Sequence, residues 1–66
     1  MKITLKAARV NKGLTQAEAA KEAHVTVATI VNWEKGKTKP DFAALNLLSG
    51  IYEWPSELFS LESKST

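Results

Sequence analysis

Cysteine is absent from the 66-residue chain, which excludes a disulfide framework and a thiolate metal cluster, two staples that small domains often recruit. A single histidine, His24, supplies one imidazole, too few for a zinc site without carboxylate help. Three glycines and two prolines are too few for the many turns of a β-sandwich or barrel. No apolar run reaches the length of a membrane span, and the opening Met1-Lys2-Ile3-Thr4-Leu5-Lys6 has no hydrophobic stretch of signal-peptide length. A cytoplasmic protein with no membrane partner is therefore expected. Catalytic groups are equally scarce: no thiol, no glycine-rich phosphate loop, no serine in a nucleophile motif. Glu18 and Glu22 share a helix face, but Glu18 is better used as a cap. Neither an enzyme nor a metal or cofactor site is expected.

What is present is an ordinary globular balance, 44% apolar and 24% charged residues. A chain this short hides only ~60% of its unfolded surface, so it builds one core. No linker or repeat interrupts it. A single domain over residues 1–61 is expected, followed by the polar tail 62–66, which has no apolar anchor. Charge is unevenly spread. Residues 1–39 hold eight basic side chains against three acidic ones, a balance of +5, whereas residues 40–66 hold one lysine against four acids, −3. The basic part points to an anionic partner, nucleic acid before membrane, or to a solvated lysine-rich surface.

Helix signals recur along the chain. Thr4 is placed to cap a first helix in which Leu5, Ala8, Arg9 and Lys12 share helical spacing, with Gly13 as its stop. Thr15-Gln16-Ala17-Glu18 has the form of a capping box and opens a second helix running to about Ala23. After a short turn, Thr26 caps a third helix from Val27 to Lys35, closed by Gly36. The β-branched run Val27, Thr29, Ile30, Val31 also suits a strand, but the caps and the Ile30/Trp33/Glu34 spacing favour the helix. A basic loop, Lys37-Thr38-Lys39-Pro40, leads to a fourth helix capped near Asp41, with Phe42, Leu45, Leu48 and Tyr52 on one stripe and Gly50 in or just past its last turn. Pro55 suits the first position of a fifth helix, Ser56 to Phe59. The fold expected is an all-α, compact five-helix bundle.

Two capped helices joined by a three-to-four-residue turn describe a helix-turn-helix. Leu14-Thr15-Gln16-Ala17-Glu18-Ala19-Ala20, then Val25-Thr26, Thr29-Ile30, Trp33-Glu34-Lys35-Gly36-Lys37 and Pro40, resemble the Cro/C1-type helix-turn-helix family of phage repressors and bacterial regulators. The resemblance covers roughly residues 4–59 and implies a lambda-repressor-like DNA-binding bundle, its helix-turn-helix formed by helices 2 and 3. Ala20 then lies where those helices cross, and Val25 and Ile30 fill the wedge between them. Arg9 and Glu34 match a family ion pair joining the first helix to the end of the third, a geometry in which arginine grips a carboxylate bidentately. His24 departs from the family glycine. Histidine is among the few side chains that tolerate the positive φ required there.

The same resemblance implies that the start of the third helix reads base edges in the major groove through Val27, Ala28 and Asn32, with Val31 flanking. These residue types suit base reading, since small apolar groups pack on thymine methyls and asparagine pairs bidentately with adenine. Phosphate contacts are expected from Thr15 and Gln16 at the start of the second helix, from Thr29, and from Lys35, Lys37, Thr38 and Lys39. The resulting function is a sequence-specific double-stranded DNA-binding regulator of a bacterial or phage system, a repressor on a palindromic operator. It would dimerise through the C-terminal apolar residues Leu47, Trp54, Phe59 and Leu61. The alternative is an antitoxin-like module that uses the same fold to mask a protein partner.

Overall fold

Short polar residues decide where each helix of this chain begins. The structure is a computed structural model and describes residues 2–60. Its helices are α1 (Leu5–Lys12), α2 (Gln16–Ala23), α3 (Val27–Lys35) and α4 (Phe42–Tyr52). Each starts at a residue whose oxygen accepts a backbone N–H that the first turn cannot satisfy internally. Thr4 accepts from Ala7, Thr15 from Glu18, Thr26 from Thr29 and Asp41 from Ala44. At α2 the box is reciprocal, since the Thr15 N–H donates to Glu18 Oε1 at 2.8 Å. Each helix ends at a left-handed residue: Gly13, His24, Gly36 and Glu53.

α2 and α3 pack across the three-residue turn 24–26, and α4 closes the bundle against α1 and α2. Leu5, Ala8, Ala19, Ala20, Ala23, Ile30, Leu48, Tyr52 and Phe59 are buried together, with Leu14, Val25, Trp33, Leu45, Ile51 and Trp54 packed around them. Alanine dominates the contact of α2 with its neighbours, so backbones approach closely and Ile30 and Leu48 fill the centre. Among the described residues no helix is long and apolar enough to cross a membrane.

The expected five-helix bundle needs correction at its end. Ser56–Leu58 form a single 3-10 turn after Pro55, and Phe59–Ser60 form a short strand, β2. β2 pairs in parallel with β1 (Ile3–Thr4), Ile3 opposite Phe59 and Thr4 opposite Ser60. Extended backbone at Phe59 turns its ring inward, where it meets Tyr52 edge-on, centroids 6.3 Å apart at 85°. Phe42, expected on the buried stripe of α4, is instead 78% exposed. It is the first residue of that helix, and helical side chains lean toward the N-terminus, which carries its ring past the edge of the bundle. Gly50 lies in the last turn of α4, one of the two places expected for it, and the helix ends at Tyr52 where Glu53 takes φ 60°. Glu53 forms an ion pair with Lys12, tying the ends of α1 and α4. Leu61 and the expected tail 62–66 lie outside the described residues.

His24 is exposed and sits at φ 60°, ψ 40°, a conformation costing an L side chain roughly 1–2 kcal/mol. His24→Gly is expected to stabilise the fold by about 1 kcal/mol, part of the relief being offset by the freer unfolded chain. Thermal melting should shift upward by ~4–8 °C; a lower midpoint would mean that the imidazole makes a stabilising contact that outweighs the backbone strain.

Candidate nucleic-acid interface

A buried ion pair holds the three N-terminal helices in register. Arg9 of α1 donates from Nε to Glu34 Oε2 at 2.6 Å and from Nη2 to Oε1 at 3.3 Å. Both side chains are almost wholly covered, at 9% and 5% exposure. The third guanidinium nitrogen, Nη1, donates to the Leu14 carbonyl at 2.8 Å, while the Leu14 N–H returns to the Arg9 carbonyl at 3.1 Å. Arg9 therefore clamps the turn between α1 and α2 as well as the end of α3. The hydrogen bond to Glu34 raises the Arg9 pKa above its ordinary value despite opposition from burial, with Coulomb attraction to Glu34 adding to it. Because Glu34 is consumed in this way, the lysines at the end of α3 stand without a competing free acid on that helix.

The outward side of α3 begins with Val27 and Ala28, both exposed. Val31 and Asn32 follow one turn later and are half-buried, being four residues on and hence on the same rows of the helix. The asparagine expected to read a base edge thus sits half-buried on the flank of the patch. Its backbone is heavily used: the Asn32 carbonyl accepts from Lys37 at 3.0 Å and Thr38 at 3.5 Å, pinning the basic loop to the end of α3. Thr29 is half-buried, and its hydroxyl lies 2.9 Å from that of Thr26. Lys35 at the end of α3 and Lys37, Thr38 and Lys39 in the loop are all exposed.

At the start of α2, Thr15 is exposed and Gln16 half-buried. The capping box uses the N–H groups of Thr15 and Glu18 and leaves those of Gln16 and Ala17 outside it. One feature is not legible from spacing. Gln16 Nε2 donates to Glu34 Oε1 at 3.1 Å, so the side chain expected to contact phosphate is also held by the ion pair. A buried carboxylate offers more lone pairs than one arginine fills, and that surplus is the only sequence-level hint of the bond.

The expected dimer residues separate. Leu47 is 42% exposed and Trp54 is half-buried, but Phe59 is core and so contributes nothing to an outer surface. Leu61 lies outside the described residues. α4 carries no charged residue from Phe42 to Tyr52, and its outer side presents Phe42 and Leu47 instead. Among the described residues no three acidic or histidine side chains cluster as a metal site requires.

Comparison with known families finds a match to the helix-turn-helix family over residues 5–53. That span begins with α1 and ends at the cap of α4. No curated protein and no solved structure matches the chain.

Tyr52, the sole tyrosine, titrates well away from its ordinary 10.0: burial pushes it up to about 12, the Glu34 charge adds to the rise and Arg9 opposes it. A group held neutral in the fold but free to ionise near 10 when unfolded leaves stability intact below pH 10. Stability is then lost progressively as pH rises from 10 toward 12. Tyrosinate absorbance of the native chain should remain low until pH nears 12, while the denaturant midpoint falls across that window. A native midpoint near 10 would show Tyr52 open to solvent.

Proposed function

Since the chain belongs to the helix-turn-helix family of DNA-binding regulators of the Cro/C1 type, we propose that it is a sequence-specific repressor that reads a palindromic operator through the major groove. The observation that carries this reading is the uncharged start of α3. Val27 and Ala28 are exposed there with Val31 and Asn32 one turn on, and the helix ends at exposed Lys35, ahead of the exposed loop residues Lys37, Thr38 and Lys39. Apolar side chains suit thymine methyls, the Asn32 amide suits adenine N6 and N7, and the lysines suit the adjoining phosphates. Thr15, Gln16, Thr29 and Thr38 complete the proposed backbone contacts. The cytoplasm of a bacterial host cell is the compartment in which we place such a repressor and its operator.

One module of this kind spans a few base pairs, so selectivity requires two copies whose recognition helices sit ~34 Å apart on one DNA face. The uncharged outer side of α4, with Phe42 and Leu47, is the surface we assign to that homodimer. The same two residues are what favours the second reading, an antitoxin-like module with a different protein seated on α4. Purified chain that selects duplexes from a random pool supports the repressor; chain that selects none until a partner is added supports the module.

Asn32→Ala is expected to cost roughly 1–3 kcal/mol on a selected site and to relax preference at one base pair per half-site. Melting should stay close to the parent, because alanine is the better helix former. The check is binding to single-base variants of the selected site; parent-like discrimination at every position would remove α3 as the reader. Leu47→Glu should convert a sedimenting dimer to monomer and weaken the full palindrome by about tenfold or more, with half-site binding unchanged. An unchanged dimer would move the interface elsewhere.

A further inference from the structure

We propose that Glu34 is a positioning residue for nucleic-acid binding: it aims the Gln16 amide outward, in addition to holding Arg9. The inference rests on the DNA-binding reading and extends it to a buried side chain that no contact with DNA would implicate. Three donors converge on this carboxylate. Arg9 Nε takes Oε2, while Oε1 receives both Arg9 Nη2 and Gln16 Nε2. A carboxylate only accepts, so the amide edge facing Glu34 is fixed as nitrogen. One hydrogen of Nε2 is engaged, the second points away from Glu34 in a direction set by the amide plane, and Oε1 of Gln16 cannot rotate into its place without losing the bond.

The placement gives this orientation a use. Gln16 is the first residue of α2, immediately after the Thr15 cap, where the free first-turn N–H groups already favour an anion. A flexible glutamine in that position loses side-chain entropy when it grips a phosphate. One already held by Glu34 has lost it on folding. Arg9 in turn anchors Glu34 through two bonds and the Leu14 carbonyl through a third, so the amide is referenced to α1, to the turn before α2 and to α3 together. The second N–H of a restrained amide, beside two backbone N–H groups of the same turn, is suited to a phosphate oxygen.

The experiment is a double-mutant cycle read by fluorescence anisotropy on a labelled mixed-sequence duplex at low salt, well below the melting temperature of every variant. Glu34→Asp keeps the charge facing Arg9 and withdraws the carboxylate by about 1.5 Å. Gln16→Ala removes the amide and is expected to weaken binding about tenfold, the loss of one hydrogen bond to a charged group. Glu34→Asp should cause a similar loss alone and less than about twofold further loss in the Gln16→Ala background. Losses that multiply, or Glu34→Asp binding as the parent does, would overturn the inference while leaving the base preference tested at Asn32 untouched. A parent chain that binds no duplex would remove the DNA reading and this inference with it. A second readout needs no folded Glu34 variant. Gln16 is the only glutamine, so its side-chain amide signals are distinct, and ¹⁵N relaxation should show that amide as restrained as the backbone in the free parent. A freely reorienting amide would also overturn the inference.

Discussion

Everything in this small domain is referenced to the pair formed by Arg9 and Glu34. Two opposite charges taken out of water are costly unless their remaining hydrogen-bonding capacity is filled, and here it is filled by the Leu14 carbonyl on one side and Gln16 on the other. The pair therefore specifies geometry more than it supplies stability. α1 and α3 have one register in which guanidinium and carboxylate meet edge to edge, and the turn into α2 has one in which Leu14 caps the third nitrogen. Tyr52 feels the same two charges, so α4 is coupled electrostatically to this junction.

Around that junction the chain relies on local closure. The helices span only eight to eleven residues, lengths at which isolated helices are marginal in water. Each is closed at both ends: an oxygen from Thr or Asp at the start and a left-handed residue at the finish. Two of the four finishing residues are glycine and two, His24 and Glu53, are not. The strain at those two positions is carried by what surrounds them, a tightly packed alanine contact next to His24 and an ion pair at Glu53.

Much of this was legible in the sequence because capping is short-range. Thr4, Thr15 with Glu18, Thr26 and Asp41 each announce a helix within three or four residues, and these starts fix the helical register that groups Val27, Ala28, Val31 and Asn32. Long-range pairing leaves no such local mark. The helix read from Ser56 to Phe59 is a 3-10 turn and a strand because Phe59 pairs with Ile3 at the other end of the domain, a partner that no window around Phe59 contains. The α4 stripe correctly collected Leu48 and Tyr52 but also took in Phe42, since periodicity does not register where the neighbouring helices stop. The Gln16 bond to Glu34 joins two residues that meet only after α2 and α3 have packed.

The strand pair has a consequence for how this domain connects to anything else. Parallel partners lie one strand spacing apart, about 4.8 Å, so the backbone enters at Ile3 and leaves at Ser60 along one shared seam. The pair is only two residues long, which keeps the entry and exit points close even though the chain runs the same way on both strands. A short link from Ser60 back to Ile3 would double back along that seam, and new ends opened in an exposed connection would leave every helix intact. A circularly permuted chain is thus compatible with this architecture. The first and last strands of the described residues share one spatial address.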